Sequence, residues 1–180
     1  MQDQCDNPIG IFDSGVGGLT VCKAIAERVP NENIVYFGDT ARVPYGSKSG
    51  ETIKRYSLEN ADFLMSVHAK ILVVACNTSC AVSLSSLKER YNVPIVSVID
   101  PAAKLAVQVT KTKKIGVIGT KRTIASNAHS TIIKAMDPSI DVISQACPLF
   151  VPLVEEGWLN SEATYLIARH YLNPVSYTHL

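Results

Sequence analysis

Short apolar runs alternate with amphipathic stretches along the chain. The runs are Ile9–Phe12, Ile34–Phe37, Ile71–Ala75, Ile95–Ile99, Ile115–Ile118 and Val142–Ser144, rich in Val and Ile and bounded by Gly, Pro, Asn or Asp. Runs this continuous read as strands buried on both faces. Between them, apolar residues return at helical spacing. Leu19, Cys22, Ile25, Ala26 and Val29 share one face, as do Ile53, Tyr56, Ala61, Leu64 and Met65. Further helices are expected over Ala81–Tyr91, Ala102–Thr110, Thr123–Met136 and Ser161–Leu172. Strand–helix alternation of this kind predicts an α/β fold, with parallel sheet covered on both faces. No Gly/Ser or Pro/Gly linker interrupts it, and the best candidate boundary is Asp100-Pro101, after the fourth strand.

Ligands of open parallel sheets bind beyond the carboxyl ends of the strands. The residues that follow each strand are therefore the candidates. They are Asp13-Ser14-Gly-Val-Gly-Gly18, then Gly38-Asp39-Thr40 with Pro44-Tyr45-Gly46, then Cys76-Asn77-Thr78-Ser79, then Gly119-Thr120 with Thr123, and finally Cys147-Pro148. Small hydroxyls, amides, an acid and thiols suit a small polar ligand.

Composition narrows the choice. Lys plus Arg is 17 against 16 Asp plus Glu, a formal charge of +1 over 180 residues. That balance argues against a nucleic-acid partner. A hydrophobic share of 47% with 18% charged residues excludes disorder as the main state. No apolar run approaches the roughly 18 residues of a membrane span, and no secretory signal is read at the start. Five cysteines at irregular spacing, Cys5, Cys22, Cys76, Cys80 and Cys147, fit reduced thiols of the cytoplasm. Cys76 and Cys80 stand one helical turn apart, but no nearby His or Cys completes a metal site.

Two of these segments carry competing readings. The Asp13–Gly18 turn either binds an anion at a helix N-terminus or is a tight turn capped by Asp13 and Ser14. It is neither the dinucleotide fingerprint nor a P-loop, since the third glycine and the Gly-Lys-Ser/Thr ending are both missing. Cys76 follows a wholly apolar strand and precedes a helix. A helix N-terminus favours thiolate, which would serve as a base or nucleophile; the other reading is a small core residue. Cys80 and Cys147 read as packing residues, and Glu155-Glu156 as a solvated helix end.

Five blocks taken together resemble the bacterial glutamate racemases. They are Ile9-Gly-Ile-Phe-Asp-Ser-Gly-Val-Gly-Gly-Leu-Thr20, Tyr36-Phe-Gly-Asp-Thr-Ala-Arg-Val-Pro-Tyr-Gly46, Val73-Val-Ala-Cys-Asn-Thr78, Ile115-Gly-Val-Ile-Gly-Thr120 and Cys147-Pro-Leu-Phe-Val-Pro-Leu-Val-Glu155. The resemblance runs from about Pro8 to about Pro174. It implies two doubly wound parallel-sheet domains of the Asp/Glu racemase type, over 1–99 and 100–175. It implies cofactor-independent interconversion of L- and D-glutamate for peptidoglycan, in the cytoplasm, with a homodimer left open. In that chemistry two cysteines flank the substrate Cα; one removes its proton and the other delivers one to the opposite face. Carried over by motif, Cys76 is the first cysteine and Asp13 assists it. Asp13, Ser14, Tyr45, Gly46, Asn77, Thr78, Thr120, Thr123 and Glu155 would contact glutamate. Neighbouring readings within the superfamily are an aspartate or hydantoin racemase or a maleate isomerase; outside catalysis, a non-catalytic amino-acid-binding protein.

The sequence departs from the pattern at one place. The second cysteine belongs to a Gly-Cys-Thr-His block, whereas this chain ends Leu172-Asn-Pro-Val-Ser-Tyr-Thr-His-Leu180, with Tyr177 at the cysteine's place. The expectation is an N-terminal fragment with both domains incomplete, a non-native tail over 176–180, and impaired racemisation.

Overall fold

The structure, a computed structural model, describes residues 6–179, with the side chains of residues 174 and 176–179 outside that description. Its strands are β1 (Ile9–Asp13), β2 (Ile34–Gly38), β3 (Ile71–Val74), β4 (Ile95–Ser97), β5 (Lys114–Gly119) and β6 (Asp141–Ala146). Its helices are α1 (Leu19–Arg28), α2 (Gly50–Ser66), α3 (Asn77–Arg90), α4 (Ile99–Val109), α5 (Lys121–Ala125), α6 (Ala128–Met136), α7 (Phe150–Glu155) and α8 (Glu162–His179). The chain divides between Val98 and Ile99 into two compact units.

The first unit carries a four-stranded parallel sheet in the order β2-β1-β3-β4. Its strands are apolar up to their last residues because helices cover both faces. On one face Ile11, Val73 and Ala75 pack against Val21, Cys22 and Ile25 of α1. The pleat turns Gly10 and Phe12 to the other face. There α2 and the segment that follows it come so close that a Cβ on Gly10 would stand 2.9 Å from Ala69 Cβ and 3.2 Å from Leu64 Cβ. Ile53, Leu64, Leu72, Val74 and Leu87 are all completely buried. Each such aliphatic side chain contributes about 1.5–3 kcal/mol by leaving water.

The second unit pairs β5 with β6, parallel and in register from Lys114↔Asp141 to Gly119↔Ala146. Its core gathers Ala103 of α4, Val117 of β5, Ile133 of α6 and Ile140. The α/β class with parallel strands is as the alternation predicts.

Several boundaries differ from the sequence expectation. The third helix starts at Asn77, not Ala81, because Cys76 caps it: its Sγ accepts the Ser79 N–H at 3.4 Å. The fourth strand ends at Ser97, and Ile99 already belongs to α4. The helix expected over Thr123–Met136 is two helices, broken at Asn127, whose φ of 57° is left-handed. Asparagine tolerates that conformation better than most residues. The last helix runs on to His179, past Leu172. The side chains that would decide whether 176–180 is a foreign tail lie outside the described residues.

Candidate active site

Sheet order builds the site. The chain leaves β1 for β2 on one side and returns to β3 on the other, so β1 and β3 flank the topological switch point. Asp13 is the last residue of β1 and stands opposite Gly38 of β2. Ala75 N–H donates to Phe12 O at 2.9 Å, and Asp39 N–H donates to Asp13 O at 2.9 Å. Asp13, Asp39 and Cys76 therefore emerge side by side at one end of the sheet.

The Asp13 carboxylate is buried and folds back on its own turn. Its Oδ2 accepts the Gly15 N–H at 3.2 Å and the Gly18 N–H at 2.8 Å. Asp13 itself occupies two of the amides an anion would need, while no side chain caps α1 and the Ser14 hydroxyl turns to Cys76 instead. Tyr36 Oη closes the turn by donating to Gly15 O at 2.9 Å. That tyrosine sits on an apolar strand and carried no signal in the sequence.

Cys76 is buried, with 4% of its surface exposed. Its thiol donates to Ser14 Oγ at 3.3 Å and accepts the Ser79 N–H at 3.4 Å. The thiol is pushed up from its ordinary value, first by burial and then by the charge of Asp13; the Ser14 and Ser79 contacts pull the other way. This corrects the expectation of a thiolate favoured by the helix start. The α3 terminus is present, but desolvation and a carboxylate outweigh it. Cys80, one turn on, donates to Val74 O at 3.1 Å inside the core, as a packing residue should.

Tyr45 is also buried, and its ring shares a cluster with Ile53 and Cys76. Its hydroxyl donates to Asp39 Oδ2 and accepts Asn60 Nδ2 at 3.1 Å. Burial, then Asp39, pushes the phenol far above its ordinary value, so it stays protonated. What this loop can offer a ligand is backbone, at Tyr45 and the half-buried Gly46. On α3, Asn77 is exposed and Thr78 buried.

The remaining predicted residues belong to the second unit. Thr120 caps α5, accepting the Thr123 N–H at 3.2 Å, and the two threonine hydroxyls lie 3.0 Å apart. Thr123 is buried, and Glu155, half-buried, ends α7. Cys147 follows β6, with its N–H on Gly119 O at 2.8 Å and its buried thiol raised by desolvation. The first unit thus brings Asp13, Ser14, Cys76 and Tyr45 together, while Thr120 and Thr123 form a separate pair. Among the described residues, no three His, Cys, Asp or Glu side chains gather as metal ligands, and no helix is long and apolar enough to cross a membrane.

The Asp/Glu/Hydantoin racemase model matches residues 9–168, and the chain belongs to that family. Its relatives are narrower in kind. The chain is 55% identical over 165 residues to the glutamate racemase of Geobacter metallireducens, covering 92% of this chain and 61% of that protein. It is 53% identical to that of Syntrophus aciditrophicus, covering 97% and 64%. Among solved structures, a glutamate racemase isoform from Bacillus anthracis superposes with a TM-score of 0.91 at 40% identity, covering 95% of this chain and 64% of that one. The Francisella tularensis glutamate racemase, solved in complex with D-glutamate, gives 0.87 at 40% identity, covering 93% and 63%. The chain spans 61% to 64% of the length of the first two curated relatives.

Proposed function

We propose that this chain carries the first acid–base thiol of a cofactor-independent glutamate racemase, and that the thiol is Cys76. The observation that carries the reading is the setting of Cys76: a buried sulfur at the switch point, within reach of the Ser14 hydroxyl, the Ser79 amide and the field of Asp13. The identity to glutamate racemases supports glutamate as the substrate.

The Cα–H of an amino acid is a very weak acid, so the barrier falls only if base and substrate are held in place and the developing charge is stabilised. In the proposed step the Cys76 thiolate takes the Cα proton and the electron pair remains on the substrate as a carbanion. Ser14 and the Ser79 N–H stabilise the thiolate before transfer, and Asp13 favours the protonated thiol after it. Inversion needs a second donor on the opposite face. The 180 residues contain no Gly-Cys-Thr-His block. This chain alone should therefore return a proton to the same face, exchanging Cα hydrogen without racemising. Tyr45, Gly46, Asn77 and Thr78 are the proposed contacts of the amino-acid head; the family motifs add Thr120, Thr123 and Glu155. Under this reading an enzyme completed by the second donor works in the cytoplasm and supplies D-glutamate to peptidoglycan, with a homodimer left open.

Incubation of the chain with each glutamate enantiomer in D2O tests this. One enantiomer should gain deuterium at Cα, read by proton NMR, without change of optical rotation. No exchange from either enantiomer would sink the assignment.

A further inference from the structure

Behind the thiol lies a closed ring of hydrogen bonds that the proposed chemistry does not use. Tyr45 Oη donates to Asp39 Oδ2. Asn60 Nδ2 donates to Tyr45 Oη at 3.1 Å, and Arg42 Nη2 donates to Asn60 Oδ1 at 3.0 Å. Arg42 Nε closes the circuit on Asp39 Oδ1 at 2.8 Å. The remaining guanidinium nitrogen, Nη1, is paired with Glu59, and the guanidinium lies 4.1 Å over the Tyr56 ring. All three guanidinium nitrogens are engaged, so Arg42 is a structural cation and not one poised for a carboxylate.

The ring joins three parts of the first unit. Asp39 is rooted in the sheet through its N–H on Asp13 O, Asn60 belongs to α2, and Tyr45 lies in the loop between them. The product of this bracing is one buried cluster: Tyr45, 1% exposed, gathered with Ile53 and Cys76. We propose that Asp39, Arg42 and Asn60 are positioning residues that hold the Tyr45 ring on the Cys76 thiol and keep water from it. This rests on Cys76 being the acid–base thiol, and it adds a lever that sets that thiol's reactivity.

A closed ring is sensitive to single changes, because opening one bond leaves a buried partner unsatisfied. Asp39→Asn is the sharpest change. However the amide turns, an N–H faces either Tyr45 Oη, which already accepts from Asn60, or the Arg42 guanidinium. Arg42→Lys keeps the charge but loses the fork that reaches Asp39, Asn60 and Glu59 at once. Either change frees the loop and admits water to the sulfur. The groups facing that sulfur are Asp13 from β1, Ser14 from its turn, the Ser79 N–H from α3 and Tyr45 from the loop. Only the last depends directly on the ring.

The test is iodoacetamide alkylation of Cys76 in the 180-residue chain, followed by peptide mass spectrometry from pH 6 to 10, with circular dichroism to establish folding. Thiolate is the reacting form, so the profile reports both access and titration. Asp39→Asn should raise the Cys76 rate at pH 7 about tenfold and move the midpoint down by about one unit, with Cys80 unchanged. Arg42→Lys should do the same to a smaller degree, and it decides the question if Asp39→Asn does not fold. A merely structural ring would lower the melting temperature yet leave the Cys76 profile within twofold of the native chain, and that result overturns the proposal. Protection of native Cys76 by D-glutamate, measured alongside, bears on the substrate reading alone. The positioning role is read from the unliganded rates, so the two readings can fail separately.

Discussion

The Cys76 thiol lies 3.3 Å from the Ser14 hydroxyl, although 62 positions separate them in sequence. The parallel pairing of β1 with β3 makes the contact, since it brings both strand ends to one edge. The contact is a donor pair in waiting. While the sulfur is protonated it donates to Ser14; once ionised it can accept from the same hydroxyl. A charged sulfur so solvated is cheaper to form, and hydrogen bonds to charged groups contribute about 1.5–3 kcal/mol.

Ser14→Ala should therefore push the Cys76 titration further up and slow Cα exchange by about ten- to a hundredfold. Alkylation profiles and deuterium incorporation on the same preparation measure both. An unchanged titration would mean that Ser14 does not solvate the thiolate.

Cys76→Ala should reduce exchange by about 10²–10⁴-fold, the contribution of a placed base. The variant also loses the α3 cap, at about 1 kcal/mol, and is expected to fold because Tyr45 and Ile53 still line the site. Deuterium uptake equal to that of the native chain would show that another group takes the proton.

The raised thiol also shapes stability. Cys76 holds its proton more tightly folded than unfolded, because burial and Asp13 both oppose the charge. Its contribution is fully present below the unfolded thiol value and is lost as pH rises through the higher folded one. Urea midpoints taken from pH 7 to 10 should fall more steeply for the native chain than for Cys76→Ala. Tyr45 and Tyr91, also raised, act equally in both, so the difference isolates the cysteine. Parallel slopes would assign the alkaline loss to other groups.

How much of this was legible depended on the range of the interactions involved. The strands were visible because burial on both faces leaves unbroken Val/Ile runs. The start of α3 was not, because Asn77-Thr78-Ser79 are poor interior helix formers that read as loop; the Cys76 cap that holds the first turn is a matter of geometry. The break at Asn127 hides among ordinary helix residues for the same reason. Cys76, Asp13 and Ser14 were readable as strand-end chemistry. The engagement of the Tyr45 hydroxyl with Asp39 and Asn60 was not, since α2 supplies one partner from 15 positions away. Nor was the direction of the Cys76 shift. A helix start is visible in sequence, whereas depth of burial is set by residues that arrive from other elements.

Gly18 is where the turn tolerates no side chain. A Cβ there would lie 2.5 Å from Asp13 Cβ and 3.0 Å from both Asp13 Cγ and Tyr36 Oη. The strand and the Tyr36 hydroxyl that closes the turn fix those neighbours, so the crowding cannot be relieved by a flexible tip. Gly18→Ala should cost about 1–3 kcal/mol, as overpacking of a tight site does. It should also displace the Asp13 carboxylate from the Gly18 N–H, now 2.8 Å away. A carboxylate that moves changes the field at Cys76, so the alkylation midpoint should shift together with the urea midpoint. Gly17→Ala is the internal control, because its nearest contact is Asp13 Oδ2 at 3.8 Å. If the two variants are equally stable and their Cys76 profiles coincide, the close approach of Gly18 does not hold Asp13 in place.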